Sequence, residues 1–433
     1  MESLKIPKVF KEKKRLVALI ILIVFLSTIA LSSGININNF KNFRNSVTNT
    51  TQEQDSNKIL ELLKNSEDDF NKGNYTNAFL NINQAIVLDN TMSELYIHRA
   101  NIYVAVSQIN NAINDYSRAL SLNASFTDIY TVRGNLYYEN GDYDKALSDF
   151  DKAINYNPEN IELLYARTNI YLEQGNFESA LGDLEVMLTL EPENGVFHSI
   201  EGDIYHSIGN YEKAVASYDS ALQYLSSSEE TNNKYQYLTN EVNNGKIHYM
   251  RGASYIQLKN FKSALQDFTT SIELSYETNS SRFNRGVCYY MLNKYTEAIE
   301  DLKTYSNAFP ENTDPWIYLA SSYYNTKKNK EAITYFKKCI DANIMLGESH
   351  YQLASIYLEQ KQYNKSITHY TNSIKLDFNK EYSLYNRGVS YLNIEDLDKA
   401  KKDFERVVEI AKDKTIKESA QKALDQFPVI ITN

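Results

Sequence analysis

The stretch Thr127–Asn160, TDIYTVRGNLYYENGDYDKALSDFDKAINYNPEN, decides the fold. Apolar and aromatic residues recur three or four apart on both sides of Gly141-Asp142-Tyr143, the spacing of a helix face. Gly134, Ala146 and Ala153 are small where two antiparallel helices must approach closely. Tyr130, Tyr137, Tyr143 and Phe150 fill the space around that contact. Gly141 predicts the end of the first helix, and Asn157-Pro158 the end of the second. One such hairpin cannot bury its own apolar faces and needs copies of itself on either side.

The copies recur every 34 residues. Frames start at Ile59, Ser93, Thr127, Ile161 and Gly195, then at Gly245, Asn279, Thr313, Gly347 and Glu381. The small residue before the turn reads Ser66, Ala100, Gly134, Thr168 and Gly202 in the first series. In the second it reads Gly252, Gly286, Ala320, Ala354 and Gly388. The residue three later is Tyr103, Tyr137, Tyr171 and Tyr205, then Tyr255, Tyr289, Tyr323, Tyr357 and Tyr391; Asp69 is the exception. The second helices open on Ala78, Ala112, Ala146, Ala180, Ala214, Ala264, Ala298, Ala332, Ser366 and Ala400.

These registers resemble the tetratricopeptide repeat family from Ile59 to Asp413, and Trp316 sits where that family often places a tryptophan. The resemblance implies an all-α solenoid of about ten helix pairs, a right-handed superhelix whose first helices line a concave groove. It also implies binding of peptides or proteins rather than catalysis.

The flanks read differently. Residues 1–15 hold six Lys or Arg against two Glu, which leaves −14 of the net −10 charge on the rest of the chain. A body that acidic repels phosphate backbones, so nucleic-acid binding is not expected. Residues 16–35 carry no charge and are rich in Leu, Ile, Val and Phe, giving on the order of −5 kcal/mol toward membrane entry. Two readings stand: a retained transmembrane signal anchor, or a secretory signal cut near Ala30–Gly34. With the basic cluster on the N-terminal side, the N-terminus is expected in the cytoplasm and the repeats outside. Residues 36–58 read as a flexible linker. Repeats then occupy 59–228 and 245–414, separated by an insertion, 229–244, in which Tyr235, Leu238 and Val242 are spaced as a helix face. Residues 415–427 predict a capping helix over the last apolar face.

Catalytic chemistry has no visible seat. There is no phosphate loop and no nucleophile motif, and the carboxylates are too evenly spread to nominate an acid/base pair. Neither an enzyme nor a cofactor or metal is expected. Cys288 and Cys339 lie inside helical patterns without a CxxC, as small buried hydrophobes. His198, His248 and His350 share one repeat position, mainly a packing position.

One co-occurrence stands out. Six repeats carry arginine just before the small residue: Arg99, Arg133, Arg167, Arg251, Arg285 and Arg387. The same six carry aspartate sixteen residues later: Asp115, Asp149, Asp183, Asp267, Asp301 and Asp403. The other four lack both, with Asn65/Asn81, Glu201/Ser217, Leu319/Tyr335 and Leu353/His369. The pattern predicts a salt bridge joining the two helices of each of the six repeats.

By resemblance, the second, fifth, ninth and twelfth positions of each first helix line the groove. Asn101, Asn135 and Asn169 stand there in consecutive repeats, a ladder of donors and acceptors for an extended backbone. The second half offers Tyr249, Phe283, Tyr290, Tyr324, Tyr351 and Tyr385, an aromatic stripe for side chains. The lysine clamp of chaperone-tail-binding members is missing, since no fifth position is lysine. The expected function is a membrane-tethered, non-enzymatic scaffold for a protein or peptide. A carrier of a small ligand such as a glycan and a self-associating spacer are the alternatives.

Overall fold

The computed structural model of the chain describes residues 50–227 and 243–427. Among these there are 21 helices in tandem pairs and no strand. The chain parts into two compact units, residues 1–208 with 219–242 and residues 209–218 with 243–433.

In the first array, five hairpins follow one another: α1 (Thr50–Asn71) with α2 (Tyr75–Leu88), α3 (Ser93–Ala105) with α4 (Ile109–Leu122), α5 (Thr127–Asn140) with α6 (Tyr143–Tyr156), α7 (Ile161–Gln174) with α8 (Phe177–Leu190), and α9 (Gly195–Ser207) with α10 (Tyr211–Ser227). The second array runs α11 (Asn244–Gln257) with α12 (Phe261–Glu273), α13 (Thr278–Met291) with α14 (Tyr295–Ala308), α15 (Pro315–Asn325) with α16 (Asn329–Asp341), α17 (Leu346–Glu359) with α18 (Tyr363–Lys375), and α19 (Lys380–Asn393) with α20 (Leu397–Ile410). The chain then enters α21 (Lys414–Leu424).

The hairpin α5–α6 shows why this sequence folds as it does. Gly141 ends α5 in the left-handed region, at φ 81°, with its N–H on the Tyr138 carbonyl. The Asp142 N–H bonds the Tyr137 carbonyl and completes the stop. Across the hairpin, an ideal Cβ built at Gly134 would lie 2.8 Å from the Phe150 ring, so any side chain there would push the helices apart. Tyr130 and Phe150 are buried, while Tyr137 and Tyr143 pack partly exposed at the rim. The apolar core runs through successive repeats of each array, as a solenoid requires.

Three boundaries bear on the sequence reading. The linker assigned to 36–58 is already helical from Thr50, so α1 begins nine residues before the first repeat frame. Among its side chains whose burial is described, the buried ones are Ile59, Leu62, Leu63 and Ser66. The helix-like spacing read at 235–242 lies outside the described residues, and Asn243 caps the next helix by accepting from the Lys246 N–H at 2.7 Å. The capping helix is present as α21, with Ile416 and Ala420 buried beside Leu384, Phe404 and Val407. The apolar segment 16–35 and the basic segment 1–15 lie outside the described residues. No described helix is long and apolar enough to cross a membrane.

Candidate functional site: the polar stripe and the arginine forks

The six arginines each form a two-pronged contact with the aspartate sixteen residues on. In the third repeat Arg133 Nε donates to Asp149 Oδ2 at 2.7 Å and Nη2 to Oδ1 at 2.7 Å. The corresponding pairs lie between 2.6 and 2.9 Å in Arg99–Asp115, Arg167–Asp183, Arg251–Asp267, Arg285–Asp301 and Arg387–Asp403. The carboxylates are buried while the arginine side chains stay partly exposed; Arg133 and Asp149 are 14% and 3% exposed. Hydrogen bonds to Asp115 hold the Arg99 guanidinium above its usual range, against the opposing effect of burial.

The fork has a third prong that the pairwise reading of the sequence missed. Arg133 Nη1 donates to Ser117 Oγ at 2.8 Å, on the second helix of the preceding repeat. Arg99 reaches Asn83, Arg167 reaches Asp151, Arg285 reaches Thr269 and Arg387 reaches Thr371 in the same way. Each of these arginines therefore ties three helices. A signal for this was available: the residue sixteen before each of these five arginines is short and polar. Before Leu319 and Leu353 it is Lys303 and Lys337.

The eighth and ninth repeats, which lack the fork, fill its place with rings. Tyr323 stacks on Tyr335, with centroids 5.7 Å apart and planes at 21°. Tyr357 stacks on His369 at 5.6 Å and 23°. In the fork repeats the equivalent tyrosine covers the guanidinium, as Tyr137 does at 5.7 Å from Arg133. The three histidines of the shared position reach other polar groups or rings. His198 bonds the Pro192 carbonyl and stacks on Tyr224, His248 meets Asp267, and His350 meets His369. Both cysteines are free and buried, and burial pushes their thiols up, Cys288 to about 12 and Cys339 to about 11.

The groove positions fall into two chemical groups. Asn101, Asn135 and Asn169 are all half-buried. Asn101 accepts from the Tyr116 hydroxyl at 2.5 Å, a bond within its own repeat. The residues facing Asn135 and Asn169 at that place are Phe150 and Leu184, which offer no hydroxyl. Among the described residues these two carboxamides have no side-chain partner. Each belongs to the same stripe: Asp128, Asn135 and Glu139 on α5, Glu162, Asn169 and Glu173 on α7. The spacing i, i+7, i+11 keeps all three on one helix face.

The aromatic positions of the second array are half-buried and in contact with rings of neighbouring helices. Tyr249 lies 5.7 Å from Phe268 and 6.0 Å from Tyr276, and its hydroxyl accepts from Asn284. Phe283 meets Tyr305, Tyr290 meets Tyr295 and Tyr318, Tyr351 meets Tyr370 and Phe378, and Tyr385 meets Phe404. Tyr324 donates to Glu359 of the next repeat at 2.9 Å; burial first and then that bond push its hydroxyl up to about 12.

Family models described as TPR repeat match residues 100–141 and 134–175. Models described as tetratricopeptide repeat match 165–229 and 249–308, and 314–343, 347–380 and 382–414. No curated protein matches the chain. Among solved structures, the Naa15/Naa10 complex bound to HypK-THB is similar at 15% identity, over 84% of this chain and 65% of that one, with a TM-score of 0.44. The P58(IPK) TPR domain is similar at 16% identity, over 85% and 98%, with a TM-score of 0.32. Yeast Tom70 is similar at 16% identity, over 85% and 95%, with a TM-score of 0.33. With the 34-residue hairpin, its glycine stops and its small-against-large contacts in place, and with family models matching most of residues 100–414, the chain belongs to the tetratricopeptide repeat family.

Proposed function

We propose that the protein is a non-enzymatic scaffold whose first array holds an extended segment of a partner protein along the first helices. The observation that carries this reading is the pair of unpartnered carboxamides, Asn135 and Asn169, one repeat apart on matching stripes. A carboxamide offers one acceptor and two donors, which suits the alternating N–H and C=O groups of a peptide main chain. The second array's tyrosines contribute less, because their rings already contact one another and their surface is half removed from water.

A crosslinking amino acid placed at Asn135 in cells would identify the bound segment, which is then synthesised for titration. Asn135→Ala with Asn169→Ala is expected to weaken that peptide at least about tenfold, from two lost hydrogen bonds of about 1 kcal/mol each. Tyr290→Ala with Tyr324→Ala is expected to change it less. The reverse order would transfer the site to the aromatic stripe.

We also propose that residues 16–35 tether the repeats to a membrane with the N-terminus in the cytoplasm. Their uncharged, apolar run behind a basic cluster supports this. A C-terminal tag that stays protected from protease added outside intact cells would reverse the orientation. A mature band shortened by the whole segment would replace the anchor with a cleaved signal.

A further inference from the structure

The ninth repeat departs from the fork at its centre. Leu353 stands in the arginine's place and His369 in the aspartate's. His350 of α17 reaches across, with its Nδ1 2.8 Å from the Nδ1 of His369 on α18. The ring centroids are 5.1 Å apart. In the sixth repeat the same reach, from His248, ends on the carboxylate of Asp267 at 2.8 Å, an acceptor at any pH where it is ionised. In the ninth repeat the acceptor is another imidazole. One ring donates its N–H and the other accepts on its lone pair, so the two facing nitrogens hold one proton between them.

One added proton can sit on the far nitrogen of the donating ring and leave the facing bond intact. The next, on the accepting nitrogen, would set two N–H groups against each other and place two cations in contact. Among the described residues no carboxylate acts on either ring to offset this. Tyr357 of α17 stacks on His369 and lies under the Lys365 ammonium. Lys337 of α16 acts on His369 as a further positive charge. From α19, Arg387 is held by Asp403 and Thr371. Glu348, in the first turn of α17, exerts its charge on Tyr290, Tyr318 and Cys339.

We propose that His350 and His369 form a proton-operated latch, which holds the α17–α18 hairpin closed while they share one facing proton and loosens it when both rings are protonated. The titration has the matching direction. Burial holds His350 below the ordinary histidine value. Burial, then His350 and Lys337, bring His369 down to about 4. Both folded values lie below the unfolded one of about 6.5, so the unfolded hairpin binds more protons. Stability is therefore full above that value and is lost as pH falls from about 6.5 toward 4. Loosening the hairpin would separate Tyr351 from Tyr370 and so dismantle part of the second array's aromatic face. Mild acid thus becomes a signal this array can read, whichever face binds the partner.

Hydrogen exchange of the full chain at pH 7 and pH 5, corrected for intrinsic chemical exchange, tests the latch. Segment 346–375 is compared with 278–308, whose fork contains no imidazole. Acid is expected to speed the first relative to the second by about tenfold. His369→Tyr, the residue that the eighth repeat carries there as Tyr335, is expected to abolish that difference. Leu353→Arg with His369→Asp, which rebuilds the fork, is a second variant with the same expectation. Equal acid sensitivity in the wild type and in both variants would overturn the latch. So would protection of 346–375 by Ni²⁺ at pH 7 that is lost in His369→Tyr, since facing imidazole nitrogens 2.8 Å apart would then be a metal chelate.

Discussion

The two arrays repeat one hairpin and spend its polar groups in different ways. The first helices of the first array, α1, α3, α5, α7 and α9, carry thirteen Asp or Glu against five Lys or Arg. Those of the second, α11, α13, α15, α17 and α19, carry three against six. At the seams between repeats the first array buries alanine, at Ala85, Ala119, Ala153 and Ala221. The second buries serine pairs: Ser271 with Ser281 and Ser373 with Ser383, each 3.1 Å apart and each also bonded to a carbonyl of the connecting turn. The lesson is that the hairpin frame fixes where small residues and turns must stand, while leaving their polarity open. In the first array some of these polar groups, such as Asn135 and Asn169, take no side-chain partner among the described residues. In the second they are consumed in holding one repeat to the next.

The forks are common to both arrays, and breaking one should have the largest effect. Arg133→Leu leaves the buried Asp149 carboxylate without a cation and also strips Ser117 of its donor. A loss of about 3 kcal/mol is expected in urea unfolding followed by circular dichroism. Arg133→Leu combined with Asp149→Tyr copies the eighth repeat, where Leu319 and Tyr335 stand and Tyr323 stacks on the latter. The double change should recover most of the loss, because no buried charge is stranded and Tyr137 is placed to stack. Additive losses would mean that the two residues do not act as a pair.

The seams separate the arrays by a smaller margin. Ser373→Ala removes the partner of Ser383 but leaves that hydroxyl its bond to the Phe378 carbonyl, so a cost of about 1 kcal/mol is expected. Ala153→Ser, the reverse change, buries a hydroxyl in a seam built from apolar groups. It should cost as much or more, unless the new hydroxyl can bond back to its own helix. Equal, negligible costs in both directions would erase the distinction between a polar and an apolar seam.

What the sequence discloses is what repeats. The hairpin frame, the small residues opposite Phe150 and Phe268, and the Arg–Asp pairs recur at fixed offsets, so comparing copies separates them from chance. The third prong of five of the forks was less visible because it crosses into the preceding repeat. The burial of the tyrosine stripe depends on neighbouring helices, such as the contact of Tyr290 with Tyr318, which a single-repeat window does not contain. The first turns of α1 were illegible for another reason. Residues 50–58 are polar, and they are helical as an extension of a helix already nucleated by Ile59, Leu62 and Leu63; propagation adds a hydrogen bond per residue and needs no burial.

The smallest expected effect distinguishes the arrays at their turns. Within the hairpins of the first array the left-handed turn residue is Gly73, Gly141, Gly175 or Gly209, with Ser107 the exception. In the second array the same position is taken by Lys259, Asn293, Lys327, Lys361 and Glu395, at φ between 57° and 62°. A residue with a Cβ pays about 1 kcal/mol to stand there, less for asparagine. Lys327→Gly relieves that strain but loosens the unfolded chain, which offsets part of the gain. The Lys327 ammonium also leaves the Tyr324 ring, 5.5 Å away. A net stabilisation of about 0.5 kcal/mol is therefore expected, read as a higher urea midpoint for the second array. Gly141→Lys in the first array should cost up to about 1 kcal/mol, because it adds the strain, offset in part by Tyr138, which stands three residues before it as Tyr324 stands before Lys327. If Lys327→Gly destabilised instead, the second array's turns would owe more to the lysine–tyrosine contact than to backbone conformation. Their non-glycine residues would then be part of what holds Tyr324 in place.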